Sequence, residues 1–202
     1  VYKHNPDKHG LPTTIGKVLV QDPATGDVVC IMDGGYLTAV RTGAASGVAT
    51  KYLARKDKGQ TASIFGAGVQ AQMQLEAVYA ARNLNKALVY DVSEKAASAF
   101  ADEMSKRLGL EVVAVSSPAE ALEADIICTA TSSPEPIFNG ADVRPGTHIN
   151  GIGSHTPGAR ELDSEIIKRS TLVADSRDAC LAEAGDIIIP IKNGELTEDH
   201  MV

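Results

Sequence analysis

The stretch Thr61-Ala62-Ser63-Ile64-Phe65-Gly66-Ala67-Gly68-Val69-Gln70-Ala71 decides the fold. Its apolar run, Ala62 to Phe65, predicts a buried parallel strand. The six residues from Gly66 to Ala71 match the pattern G-x-G-x-x-[GA], and a helical pattern of apolar residues follows at once: Ala71, Leu75, Val78 and Tyr79. A strand, a glycine-rich turn and a helix in this order are typical of a loop that holds the pyrophosphate of a dinucleotide.

Each small residue of this loop has a physical role in that interpretation. Gly66 allows the tight turn from strand to helix, and Gly68 places no side chain between the backbone and a pyrophosphate. Ala71 lets the helix lie close to the strand, and the free amides at the helix N-terminus would bind phosphate oxygens.

A second predicted strand, Ala87 to Tyr90, ends in Asp91. This acid follows the loop by about twenty residues, where dinucleotide folds place the ligand of the adenosine ribose. Alternatively, Asp91 only caps the next helix, although Ser93 could do that unaided. Since its carboxylate would repel a 2′-phosphate, Asp91 favours NAD over NADP.

Composition narrows the classes of function. The 202 residues include 44% hydrophobic and 22% charged residues, as expected of a globular protein. The net charge of -7 and the absence of Trp argue against a nucleic-acid partner. No apolar stretch approaches the roughly 18 residues of a membrane span, so we expect no membrane partner. Three widely spaced cysteines are typical of reduced thiols, which favours a cytoplasmic location.

Cysteine and histidine spacing predicts no metal site. Cys30, Cys128 and Cys180 are widely separated and form no C-x-x-C motif, which favours reduced thiols over a disulfide or zinc. The five histidines also lack any spacing typical of metal ligands.

The remaining elements alternate in a way that predicts an α/β fold with a doubly wound, Rossmann-type parallel sheet. A hairpin of strands at 14–20 and 28–32 precedes it, and a long helix with many small residues, Tyr36 to Ala54, follows the hairpin. Gly43 and Gly47 in that helix indicate close approach of another backbone or a ligand. We also expect strands ending at Thr131 and Gly151, a strand over 171–174, and an extended, packed segment over 187–191.

Five sequence motifs together resemble the ornithine cyclodeaminase/mu-crystallin family, and within it the archaeal-type alanine dehydrogenases. They are Gly10-Leu11-Pro12-Thr13, the run from Met32 to Ser46, the loop Gly66–Ala71, the segment His148–Gly153 and the segment Pro157–Asp163. The resemblance extends over essentially the whole chain. It implies a homodimer in which each subunit has a nicotinamide-binding Rossmann domain and a separate dimerisation domain.

The resemblance also implies the domain organisation. Residues 1–34 would belong to the dimerisation domain, 35–59 would form a connecting helix, 60–180 would bind NAD, and 181–202 would begin the return to the dimerisation domain. The chain would then be a fragment, with the family's catalytic lysine and a substrate-binding arginine upstream of it and a terminal segment beyond it.

By the same resemblance, Arg41 would bind the substrate carboxylate and Thr13 would lie near the nicotinamide. Val69 and Gln70 would join Gly66 and Gly68 in holding the pyrophosphate. The residues implied to line the cofactor where the sheet opens are Thr131, Asn150, Gly151 and Ile152. His155 stands where the cyclodeaminases have an aspartate that assists ring closure. A histidine can transfer protons near neutral pH but offers no permanent anion to a diamine substrate, so His155 disfavours cyclodeamination.

Three functions remain open at this point. The first is NAD-dependent hydride transfer at the α-carbon of a small amino acid or its imine, as in an alanine dehydrogenase, with Arg41 and His155 as catalytic residues. The second is the lyase reaction that converts ornithine to proline and ammonia. The third is a mu-crystallin-like nucleotide and ligand binder without catalysis.

Overall fold

A computed structural model describes residues 4–12 and 15–202. A short helix, α1 (Asn5–His9), is followed by two antiparallel strands, β1 (Lys17–Gln21) and β2 (Val28–Asp33), which form a two-stranded sheet of their own. Val18 pairs with Met32, and Gly26 has a φ of 75° in the turn. The hairpin was therefore predicted correctly, although its first strand begins later than expected. Nearly all of its side chains are exposed.

Helix α2 (Gly34–Leu53) begins where Asp33 Oδ1 accepts a hydrogen bond from the Tyr36 amide at 2.8 Å. Its small residues face helix α3 (Val69–Ala81). A Cβ on Gly43 would lie only 2.6 Å from the Met73 carbonyl oxygen, and one on Gly47 would lie 3.1 Å from Ala77. The close approach inferred from these glycines is thus to the backbone of α3.

The main sheet has five parallel strands in the order β5-β4-β3-β6-β7. They are β3 (Gln60–Phe65), β4 (Leu84–Tyr90), β5 (Glu111–Ala114), β6 (Ile126–Thr129) and β7 (His148–Gly151). Helices α3, α4 (Glu94–Leu108) and α5 (Pro118–Ala121) connect successive strands. This arrangement confirms the doubly wound α/β fold.

The core lies on both faces of this sheet because neighbouring residues of a strand point in opposite directions. Ile64 belongs to the cluster that includes Leu75 of α3 and Phe100 of α4. The next residue, Phe65, belongs to the other cluster, which includes Phe138. Burial on both sides explains why the strands appear in the sequence as continuous apolar runs.

The strand expected over 171–174 is not formed, so that prediction was wrong. Leu172 makes only an isolated bridge to Met201, outside the five-stranded sheet. A strand requires a continuous partner, and local β-propensity does not supply one. Two helices that the sequence analysis missed flank this segment: α6 (Ser164–Arg169) and α7 (Arg177–Glu183).

The segment 187–191 is helical, and the expectation of an extended conformation was also wrong. It lies in α8 (Gly185–Lys192), where Ile187 and Ile188 are buried. The helix packs against α6 and α7. Burial of the isoleucines outweighs their weak helix propensity and the amide that Pro190 lacks. No helix in the described part of the chain is long and apolar enough to cross a membrane.

Candidate functional site

The candidate site lies at the carboxyl edge of the five-stranded sheet. Because all five strands are parallel, their C-terminal ends meet there, and ligands of such folds bind outside this edge. Gly66 follows β3, Asp91 follows β4, Thr131 follows β6, and Gly151 ends β7.

Gly66 occupies a position that no other residue fits. Its φ of +100° is unfavourable for any side chain, and a Cβ there would lie 2.7 Å from the Ala130 carbonyl oxygen. Gly68 differs, since its φ is -88° and a Cβ on it would have no neighbour within 4 Å among the described residues. Gly66 is therefore required by the fold itself, whereas Gly68 leaves open space at the surface.

The N-terminus of α3 faces this space with free backbone donors. Gly68 is the N-cap residue and makes no side-chain cap. The Gln72 amide donates to the Gly68 carbonyl at 3.2 Å, so the amides of Val69, Gln70 and Ala71 precede the first bond of the helix. Such amides, together with the helix dipole, favour an anion such as pyrophosphate.

The Asp91 side chain is held against the glycine-rich loop. Its Oδ2 accepts a hydrogen bond from the Ala67 amide at 2.9 Å, and its Oδ1 accepts one from the Ser93 amide at 2.8 Å. Ser93 is the N-cap of α4 and accepts from the Ala96 amide. Since Ser93 caps the helix, Asp91 is not its N-cap, and its carboxylate lies beside the loop.

Asn150 lies in β7 at this edge, and its side chain is turned inwards. The Nδ2 atom donates to Thr50 Oγ1 at 3.0 Å and to Cys128 Sγ at 3.4 Å, and Oδ1 is 3.1 Å from His148 Nε2. Burial raises the pKa of Cys128 to about 12 and lowers the pKa of His148. Only the backbone of Asn150 is left for lining a cofactor.

The other residues expected around the cofactor are Thr131, Gly151 and Ile152. Gly151 is exposed at the end of β7, and the Ile152 amide donates to the Thr129 carbonyl at 3.0 Å. Thr131 Oγ1 accepts from the Ser133 amide at 3.1 Å. These residues lie at the expected edge, and their contact with a cofactor stays a prediction.

Arg41 and His155 are both exposed. Arg41 lies on α2 and makes no hydrogen bond or ion pair with residues 4–12 or 15–202. His155 Nδ1 lies 2.6 Å from the Gly153 carbonyl oxygen. Their catalytic roles stay predictions, and Thr13 lies outside the described residues.

A fully buried acid at this edge, Glu161, has no role in the sequence-based predictions. Its Oε1 accepts a hydrogen bond from the Thr131 amide at 2.6 Å, and its Oε2 accepts one from the Gly153 amide at 2.7 Å. A second buried acid, Asp186, lies behind it, and burial raises the pKa of Asp186 to about 6. Glu161 lies within one of the motifs quoted above, but no spacing rule signals its partners.

No group of three metal-binding side chains is found among the residues that the structure describes.

Comparison with known proteins gives a consistent result over the whole chain. The sequence model of the ornithine cyclodeaminase/mu-crystallin family matches residues 1–202. A solved structure of Thermococcus litoralis Δ1-pyrroline-2-carboxylate reductase, in complex with NADH and L-proline, is 52% identical and has a TM-score of 0.92; the match covers 98% of this chain and 61% of that one. An archaeal alanine dehydrogenase dimer with bound NAD is 37% identical with a TM-score of 0.89, covering 98% and 60%.

A curated relative from Bacillus cereus bears the same name as the first structure. This Δ1-pyrroline-2-carboxylate reductase is 41% identical over 187 residues, which is 92% of this chain and 57% of the relative. The chain thus spans less than two thirds of the length of these relatives.

Proposed function

Because the chain belongs to the ornithine cyclodeaminase/mu-crystallin family, we propose that it is the nucleotide-binding part of an NAD-dependent oxidoreductase acting on imino or amino acids. The observation that supports this best is the Asp91 carboxylate bonded to the Ala67 amide of the glycine-rich loop. That geometry suits a ribose whose hydroxyl groups donate to the carboxylate. NAD, when bound, supplies the hydride acceptor or donor for chemistry at the α-carbon.

The proposed substrate is a cyclic imino acid, Δ1-pyrroline-2-carboxylate. The 52% identity to the archaeal reductase supports this choice over alanine. In the balanced reaction, the C=N carbon gains a hydride, the nitrogen gains a proton, and NADH becomes NAD⁺, which gives proline. Alanine dehydrogenation remains the second candidate, supported by the archaeal dehydrogenase dimer.

Two side chains of this chain have roles in the proposal. Arg41 binds the substrate carboxylate, which suits a planar guanidinium group without a protein partner among the described residues. His155 handles a proton at the substrate nitrogen, and its exposed ring near the end of β7 is suited to proton exchange with solvent. The lyase reaction is disfavoured because His155 stands where the cyclodeaminases have an acid.

The hairpin has a separate role in the proposal. Leu19, Val29 and Ile31 expose apolar side chains on the two-stranded sheet, and a two-stranded sheet is only marginally stable without further partners. We assign it to the dimerisation domain of a homodimer, by analogy with the dehydrogenase relative.

A substrate comparison on the full-length protein tests the function. NADH oxidation is followed with Δ1-pyrroline-2-carboxylate and with pyruvate plus ammonium. Ornithine is supplied together with NAD⁺, because the lyase reaction begins with oxidation of ornithine. We expect net NADH loss and proline formation with the first substrate. Activity only with pyruvate and ammonium supports the dehydrogenase, and proline formation from ornithine without net NADH change supports the lyase. NADH binding without any turnover contradicts catalysis.

Arg41→Lys tests the carboxylate contact. Lysine keeps the charge but loses the bidentate guanidinium geometry, so KM should rise by one to two orders of magnitude, roughly 1.4–2.8 kcal/mol, with NADH affinity unchanged. The matched control is Arg55→Lys at the amino edge of the sheet, where Arg55 pairs with Asp125. An unchanged KM for Arg41→Lys rules out the contact.

His155→Ala tests proton handling. We expect kcat to fall by about 10²-fold and its pH profile to change. The control is His200→Ala, because His200 Nε2 lies 2.9 Å from the Ile167 carbonyl oxygen and not at the carboxyl edge of the sheet. If kcat and its pH dependence survive the loss of His155, that residue is only a loop side chain.

A further inference from the structure

Glu161 joins two loops that leave the carboxyl edge from neighbouring strands. Its two carboxylate oxygens accept from the Thr131 amide after β6 and from the Gly153 amide after β7. The side chain is fully buried, and no lysine or arginine forms an ion pair with it in the described part of the chain. One carboxylate thus sets the distance between the two loops.

The second of these loops also holds His155. The Gly153 amide donates to Glu161, and the Gly153 carbonyl oxygen contacts His155 Nδ1 at 2.6 Å. A Cβ on Gly153 would overlap the Glu161 carboxyl group, so the glycine leaves the space that this bond requires. The backbone of Gly153 therefore links the buried Glu161 carboxylate to the exposed His155 imidazole.

Asp186 anchors Glu161 from behind. Its Oδ1 accepts from the amides of Glu161 and Leu162 at 2.8 and 3.0 Å. The Asp186 amide donates to Ser154 Oγ at 2.9 Å, and Ser154 lies between Gly153 and His155 in the sequence. The loop that precedes His155 is therefore held on both sides by this pair of acids.

We propose that Glu161 is a positioning residue, which sets the place of the His155 imidazole and of the Thr131 loop at the candidate site. The proposal rests on the proposed function for its kinetic part alone. The position requires a carboxylate because both partners are N–H donors. A glutamine offers one acceptor oxygen, and its NH₂ group would face the second donor. Rigid support of this kind matters because small displacements of a reacting group lower rates strongly.

The matched control is Asp163, two residues further along the chain. Its carboxylate also accepts from two backbone amides, those of Gly140 and Ile166, at 2.8 and 2.9 Å. Those bonds hold the start of α6 and not the loops of the carboxyl edge. Asp163→Asn therefore measures the loss of an equivalent bridge that only stabilises the fold.

The kinetic experiment compares Glu161→Gln with Asp163→Asn in the full-length protein. We expect Glu161→Gln to lower kcat by ten- to a hundredfold and to alter its pH profile, while KM changes less than threefold. Asp163→Asn should lower Tm by a similar amount but leave kcat and the pH profile unchanged. If the two variants have the same kcat at equal Tm loss, Glu161 is only structural and the proposal is overturned.

A second measurement does not depend on turnover. It therefore tests the positioning role of Glu161 even if the proposed function is wrong. The His155 ring protons are followed by NMR at one fixed pH, with assignment from His155→Ala. In Glu161→Gln their chemical shifts should change because the ring is displaced, and in Asp163→Asn they should not. His155 chemical shifts identical to those of the wild type overturn the proposal, whatever the activity.

A double-mutant cycle tests the contact between Glu161 and Gly153 through stability alone, without a kinetic measurement. Gly153→Ala places a methyl group where the carboxyl group lies, and Glu161→Ala removes that group. The double variant should therefore be more stable than the sum of the two single effects predicts. Strict additivity of the two stability losses contradicts the contact on which the proposal depends.

Discussion

At both edges of the five-stranded sheet, carboxylates accept hydrogen bonds from backbone amides. The two edges differ in whether arginines also lie beside the carboxylate. At the amino edge, Asp125 Oδ2 accepts from the Thr61 amide at 3.0 Å, while Oδ1 lies 3.2 Å from Arg55 and 3.9 Å from Arg144. At the carboxyl edge, Asp91 and Glu161 accept only from amides among the described residues.

The amino edge is therefore suited to a structural role, and the carboxyl edge is suited to binding a ligand. Arginines neutralise the acid at the amino edge, so nothing there calls for a further donor. At the carboxyl edge, the negative charge of Asp91 stays available to the hydroxyl groups of a sugar, next to the free amides of α3. A carboxylate thus stabilises the fold where arginines lie beside it, and it is suited to ligand binding where backbone amides are its partners.

The largest expected loss of stability comes from substitution of Gly66. Both the turn from strand to helix and the proposed pyrophosphate loop depend on this residue. Gly66→Ala should destabilise the protein by about 2–4 kcal/mol, through its positive φ and its overlap with the Ala130 carbonyl oxygen. Gly68→Ala should leave stability within about 0.5 kcal/mol but weaken NADH binding. Thermal unfolding and NADH titration measure both. Equal stability losses at the two positions would contradict the distinction drawn between them.

The next largest effect is a pH dependence of stability caused by the buried carboxyl group of Asp186. Burial raises the pKa of Asp186 from the ordinary aspartate value of about 3.9 to about 6, so the folded protein binds a proton more tightly than the unfolded chain. Stability should therefore fall as pH rises from about 4 to 6, and stay lowered above that, by about 1–3 kcal/mol.

Asp186→Asn tests this pH dependence. The asparagine Oδ1 can still accept from the Glu161 and Leu162 amides, while no charge is buried. Urea unfolding at pH 4 to 8 should show the variant gaining stability relative to the wild type as pH rises. A constant difference across this range shows that Asp186 does not titrate as described.

Asp91→Ser tests the role of the acid at the carboxyl edge. Loss of the carboxylate should weaken NAD binding about tenfold, roughly 1.4 kcal/mol, and should improve NADP binding relative to NAD. Titration of both nucleotides measures the ratio. An unchanged ratio means that Asp91 is not the ribose ligand.

The smallest effect is expected at the amino edge. Asp125→Asn removes the charge that faces Arg55 but keeps one acceptor for the Thr61 amide, so stability should fall by about 0.5–1.5 kcal/mol. NAD affinity and the NAD/NADP ratio should not change. A marked effect on nucleotide binding would break the comparison between the two edges.

The sequence alone determined the parallel sheet and its glycine-rich loop. Continuous apolar runs identify strands buried on both faces, and the spacing of Gly66, Gly68, Ala71 and Asp91 reflects local backbone geometry. These features depend on residues close together in the chain, which is why pattern analysis could find them.

Only the tertiary structure decided the partners of Glu161, the inward direction of Asn150 and the helix over 185–192. Glu161 meets Thr131 across 30 residues, and Asn150 meets Thr50 across 100. The isoleucines of α8 are helical because the packed fold buries them, against their local preference. Hydrogen bonds and burial of this kind depend on where the whole chain folds back, and no local pattern contains that information.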